Sequence, residues 1–186
     1  MNLYSLRRAD RSVKLAVSLF LIVLGCAYVF AFLMVRTWAG LTPDRIAATY
    51  APARPVDERS LPTTSSARTE LLDLDAMGDE HTHVVDTRLL IQDSHVHILL
   101  YGIVASLETL ILFGIAWPPW WRDTVIVAAF ASGLFDFCGQ WLVKAGLPAF
   151  TWLIITSGWA MAAVYLIVAV GVVRELTARV HKEKDS

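Results

Sequence analysis

The sequence predicts an all-α integral membrane protein, a four-helix bundle with a long external loop between helices 1 and 2. Three observations carry this expectation. The 186 residues are 56% hydrophobic and only 18% charged, against a charged share of about a quarter in soluble domains. The mean hydropathy is +0.53. Four apolar stretches are long enough to cross a hydrocarbon core, which takes about 20 residues at the helical rise.

Residues 1–12 read as a basic cytoplasmic N-terminus, and residues 13–37 as the first span. Arg7, Arg8, Arg11 and Lys14 ahead of an apolar run, with Val23-Leu24-Gly25-Cys26 inside it, also fit a lipoprotein leader. The run passes Cys26 without a small-residue cleavage site, which favours a retained helix. Residues 38–93 form the external loop. Span two covers 94–117, with Asp93 or Ser94 as N-cap and Pro118-Pro119 as stop. Span three covers 124–144, Gly146 and Pro148 mark a turn, span four covers 150–173, and 174–186 is a charged tail. Connections this short make spans two, three and four antiparallel neighbours.

Arg122, Arg174, Arg179, Lys182 and Lys184 join the N-terminal basic residues at one set of span ends. The positive-inside rule puts that set, and both termini, in the cytoplasm of a bacterial inner membrane. The loop carries more acids, among them Asp57, Glu58, Glu70, Asp73, Asp75, Asp79 and Glu80, and falls on the other face. Most tryptophans lie near span ends, where indole prefers the headgroup layer; Trp159 lies deeper. A net charge of -1 with no long basic cluster argues against nucleic acid as a partner. Membrane lipid and other membrane subunits are the expected partners. Cys26 and Cys138 sit inside apolar runs and read as packing residues.

Within the loop, Thr42 to Arg68 offers little to bury and reads as extended or mobile. Thr69–Met77 reads as a short helix, and Val84–Gln92 as a lead into span two, in part a helical extension of it.

An ionisable side chain at membrane depth costs about 2.5–3.5 kcal/mol on insertion scales, so it faces the bundle interior. On span two, Asp93, His97, Tyr101 and Glu108 recur at helical spacing on one face. On span three, Ser132, Asp136 and Gln140 make a second stripe, with Lys144 at its outer end. Counting from the membrane edges sets Gln140 level with His97, Asp136 with Tyr101, and Ser132 with Glu108, with Tyr165 of span four near that last level. This polar seam serves as interhelical hydrogen bonding, as a proton or ion path, or as the edge of a cofactor pocket.

Four of the five histidines cluster near the outer end of span two, as His81, His83, His95 and His97. Imidazole is the commonest metal ligand. Residues two apart on a helix point about 200° from each other, so His95 and His97 share one ion only if the helix starts between them. Asp93, four residues before His97, is spaced to orient that imidazole. For haem, His97 or His95 supplies one axial ligand, beside Tyr101, Asp136 and Gln140. The second comes from His81 or His83 folded over the membrane edge, or from Met34. For copper or zinc, His81, His83, His95 and His97 converge with Asp86 or Asp93. Without any ligand, these are interfacial histidines. His181 reads as solvated, and Met161 and Trp159 as packing.

Ser94-His95-Val96-His97-Ile98-Leu99-Leu100-Tyr101-Gly102 resembles the helix opening H-x-H-x-x-x-x-G of small membrane proteins similar to haem-copper oxidase and nitric oxide reductase subunits. The resemblance covers one helix and implies b-type haem bound by a histidine at the helix start. The further histidines of a complete haem-copper centre are missing from spans one, three and four, so oxygen or nitric oxide reduction is not implied. The stretch from Asp86 to Arg174 also resembles a three-helix unit of bacterial membrane proteins. The expected function is a haem b electron-transfer or accessory subunit of a respiratory-type complex. The alternatives are a periplasm-facing copper or zinc protein and a ligand-free structural subunit. Catalysis by the chain alone is not expected, since no nucleophile with its base and no phosphate-binding loop is evident.

Overall fold

The computed structural model describes residues 4–50 and 85–178. The readings of His81, His83, His181 and a helix over Thr69–Met77 lie outside these residues. Among the described residues every regular element is helical, and four helices are long and apolar enough to span a membrane: Arg11–Thr37, Thr87–Leu112, Pro119–Lys144 and Pro148–Thr177.

Helix α1 (Arg11–Met34) is apolar around its whole circumference and buries only Val17 and Leu21. Such a helix meets lipid on most sides. It runs into a π turn over Val35–Ala39, closed by Gly40 at φ 74°, a backbone state that favours glycine. Helix α2 (Pro43–Tyr50) then lies across the ends of the later spans and buries Ile46 and Thr49. This corrects the expectation of an extended or mobile chain for Pro43–Tyr50; the rest of that stretch, to Arg68, lies outside the described residues. An apolar Ile46 and an aromatic Tyr50 one turn apart are enough to anchor a helix once the bundle end supplies a partner.

Helix α3 (Thr87–Leu112) includes most of the expected lead over Val84–Gln92 as its first turns, and so begins ahead of the expected cap. Asp86 is the N-cap: its carboxylate accepts from Thr87 N at 2.7 Å and its carbonyl from Leu90 N at 2.9 Å. Asp93 and Ser94 are interior to the helix and cap nothing. The helix also stops earlier than expected, at Leu112, because residues 113–118 turn back under the bundle with Ile115 only 1% exposed. Apolar character does not separate a helical turn from a buried loop. The Pro118-Pro119 pair starts the next helix rather than ending the last one. Pro119 is the first residue of α4 (Pro119–Lys144), where its missing N–H costs nothing, and Arg122 N donates to Pro118 O. Gly146 at φ 90° closes α4. A 3-10 turn over Pro148–Phe150 leads into α5 (Thr151–Thr177).

Helices α3, α4 and α5 are antiparallel neighbours, with α4 against α5 the most extensive contact. Gly139 permits that approach: a Cβ there would lie 2.7 Å from Ile154 Cγ1 and 3.2 Å from its backbone nitrogen. Small residues of this kind let membrane helices pack closely. Helix α1 leans on α5 and scarcely meets α3 or α4. Cys26 and Cys138 are exposed, facing the membrane rather than packing inside the bundle.

The bundle has two unlike ends. At the terminal end, Leu6 N donates to Gly114 O at 2.8 Å, and buried Glu175 accepts from Arg7 Nε at 3.2 Å and Ala116 N at 3.1 Å. Above this clasp sits an apolar cluster that includes Leu21, Ile111, Leu112, Ile115, Val164, Val168 and Val172. At the loop end, Val85 N donates to Thr49 O at 2.8 Å and Lys144 Nζ donates to Val85 O, which ties α2 and the start of α3 to the end of α4.

Candidate functional site

The predicted seam between the second and third spans exists, and Asp136 is its centre. Its side chain is 8% exposed. Oδ2 accepts from Tyr101 Oη at 3.2 Å and from Gln140 Nε2 at 2.9 Å, and Oδ1 accepts from Ser157 Oγ at 3.4 Å. The expected level pairing of Asp136 with Tyr101 is thus a hydrogen bond. Gln140 turns to Asp136, one turn back on its own helix, and its level carries a different bridge: Trp141 Nε1 donates to Ser94 Oγ at 3.0 Å. Gly133 makes room for the Tyr101 ring, since a Cβ there would lie 3.0 Å from Tyr101 Cβ. Tyr50 of α2 covers the loop end of the network. Burial first, then the carboxylates of Asp136 and Asp93, push its phenol up to about 12.

One turn towards the loop end from Tyr101, His97 is held by Asp93. Nδ1 of His97 lies 2.9 Å from both the backbone carbonyl and Oδ1 of Asp93. Those two acceptors assign the proton to Nδ1 and leave the lone pair on Nε2, the arrangement common among metal-ligating histidines. The His97 ring meets the Tyr101 ring edge-on at 5.7 Å between centroids. His95, on the far side of the same continuous helix, is exposed and joins none of this.

His97, Tyr101 and Glu108 all line a cavity of about 340 Å³, closed by residues of α1, α4 and α5, a size within the range of small-molecule sites. Its walls are mainly apolar (Leu24, Leu100, Val104 and Val164 among them), with Tyr28, Ser132 and Met161 also contributing. At its rim Ala27, Ala31 and Leu100 are exposed within the spans between α1 and α3, and His97, with its side chain 42% exposed, opens it towards the loop end.

Glu108 sits at the other end of this lining from His97. It is 2% exposed, and its Oε1 has no hydrogen-bond partner. Ser132, expected beside it, also lines the cavity while its hydroxyl donates to Ala129 O at 3.0 Å. Tyr165 points elsewhere: its hydroxyl donates to Leu21 O at 3.0 Å and its ring packs on Tyr28 at 5.2 Å, stitching α5 to α1.

Met34 is 64% exposed and lies outside the cavity lining, although Ala31, one turn earlier, belongs to it. Met161, read as packing, is half-buried and borders the cavity. Ser157, Met161, Val164 and Val168 follow one another at helical spacing on α5, and that periodicity is the signal that would have placed Met161 inward. Ser157 and Tyr28 were missed because a single hydroxyl in a largely apolar span carries no charge to mark which face turns inward. Among the described residues no three His, Cys, Asp or Glu side chains are grouped to hold a metal ion. Asp86 is engaged as a helix cap.

A family model described as a transmembrane helical domain matches residues 40–184. The chain belongs to that family and is a multi-pass membrane protein. No curated protein and no solved structure matches it.

Proposed function

We propose that the chain is a haem b-binding electron-transfer or accessory subunit of a larger respiratory-type membrane complex, with His97 as an axial ligand. The observation that carries the reading is the pairing of His97 Nδ1 with Asp93, which leaves Nε2 with no protein partner in an apolar membrane cavity. What supports a haem is one oriented imidazole beside mainly aliphatic walls; Met161 faces the same lining about two turns deeper than His97. When bound, such a group supplies one-electron exchange. The chain's own part is to fix the imidazole tautomer through Asp93, to seat the ring against Tyr101, and to hold Tyr101 through Asp136. His97 takes precedence over His95, which is exposed on the opposite side of α3.

The same reading sets the protein in a bacterial inner membrane with both termini cytoplasmic. Its support is that Arg7, Arg8, Arg11, Lys14, Arg122 and Arg174 gather at the terminal end.

The reduced-minus-oxidised spectrum of the purified full chain tests the proposal. A Soret band retained in His95→Ala and lost in His97→Ala is the expected result. No Soret band in a haem-supplemented preparation would overturn it. Stoichiometric copper or zinc lost on changing His81 and His83 to Ala would favour a metal-handling protein instead.

A further inference from the structure

Glu108 has a role that haem ligation leaves unused. Its carboxyl is buried, Oε1 is unpartnered, and it borders the same cavity as His97. The titratable groups around that cavity come from each packed helix: Tyr28 on α1, His97 and Tyr101 on α3, and Asp136 on α4 beside the lining residues Ser132 and Gly133, with Tyr165 on α5 stacked behind Tyr28. Among the described residues, no Lys or Arg lines the cavity to neutralise the carboxylate.

The surroundings of Glu108 are unequal along the membrane normal. Towards the terminal end come Ile111, Leu112, Ile115, Val168 and Val172, all buried, and beyond them the buried Arg122 over the Phe113 ring, the Tyr4 hydroxyl on Leu110 O and the Arg7–Glu175 clasp. Towards the loop end come the cavity, then His97, then Asp93, whose side chain is 46% exposed. Along α3 the rise from His97 to Glu108 is roughly 16 Å, too far for a direct hydrogen bond. A cavity of about 340 Å³ has room for on the order of ten waters, and Tyr28, Tyr101, Ser132 and Glu108 offer them polar anchors.

We infer that Glu108 is a proton-binding site at the blind end of a half-channel that opens at the loop end through Asp93 and His97 and is sealed towards the terminal end. A proton enters by binding at the carboxylate oxygen and leaves by the same route; no bond other than O–H forms or breaks.

The test is modification of Glu108 by dicyclohexylcarbodiimide, a hydrophobic reagent that reacts with the protonated carboxyl, in the full chain reconstituted in vesicles of known orientation. The modified peptide is quantified by mass spectrometry while pH is varied on one side at a time. The expected result is labelling at Glu108 that falls several-fold as pH rises on the loop side and is unchanged when pH rises on the terminal side. An unlabelled Glu108 at every pH, or labelling that follows the terminal side, would overturn it. Infrared difference spectra on a loop-side pH change provide a second reading in the unmodified chain. A protonated carboxyl band that responds to pH and is missing in Glu108→Gln is expected; a band unaltered by that substitution counts against the site.

Discussion

The loop-end and terminal-end halves of the bundle are held together by different forces. The terminal half is dry: aliphatic side chains of α1, α3, α4 and α5 interlock, and one buried carboxylate, Glu175, fastens the chain ends to the turn over 113–118. The loop-end half is wired by side-chain hydrogen bonds that converge on Asp136 and leaves a cavity where α1 stands away from α3. Lipid is as apolar as the side chains in the dry half, so that half is held by close packing. The polar half adds directional bonds whose loss leaves donors stranded. The contrast teaches where function resides: the half that accepts polar groups at membrane depth also keeps an opening beside them.

Asp136→Ala gives the largest expected effect, because Tyr101 and Gln140 lose their acceptor, while Ser157 keeps its bond to Ile154 O at 2.9 Å. At about 1–3 kcal/mol for each stranded group, the variant loses several kcal/mol in a denaturant titration in micelles. Asp136→Asn keeps part of the network and falls well short of that loss. Gly139→Val strikes the α4–α5 contact that both halves share, where a Cβ meets the Ile154 backbone. A loss of about 1–3 kcal/mol in the same assay is expected from overpacking. Glu175→Gln tests the dry half alone. The Arg7 side chain is 41% exposed, and the amide oxygen of Gln still accepts from Ala116 N, so the change stays below about 1 kcal/mol.

A pH dependence probes the polar half at alkaline pH. The Tyr50 phenol is raised from 10.0 to about 12 in the folded chain, so the folded state holds that proton more tightly than the unfolded state. Its contribution to stability is therefore complete below pH 10.0 and is lost as pH climbs through about 12. Tyr50→Phe removes this alkaline loss, which thermal melts across that window would reveal as a flatter profile than the parent's.

The spans and the seam were legible in the sequence for a simple reason. Two antiparallel helices with the same rise per residue bring matching depths together, so counting from the ends pairs Asp136 with Tyr101. The Asp93–His97 contact was legible because four residues is one helical turn. Helix boundaries were not. Asp86 begins α3 in a stretch with little apolar bias, and Ile115 is buried by a turn instead of a helix. Helix α2 was hidden because the composition around it offers few residues to bury, and its partner is the bundle end, distant in sequence. The cavity was illegible altogether. It depends on α1 leaning towards α5, and a helix that is apolar all round carries no pattern to say which face turns inward.

The division into a water-accessible half and a dry half is most directly tested by thiol accessibility. In a background with Cys26 and Cys138 changed to Ser, the variants Ser132→Cys, beside Glu108 in the cavity, and Val168→Cys, in the aliphatic cluster, are exposed to a membrane-impermeant thiol reagent from each side. Reaction of the first from the loop side, with the second inert from both sides, is the predicted outcome. A reactive cysteine at position 168, or an inert one at position 132, would contradict it.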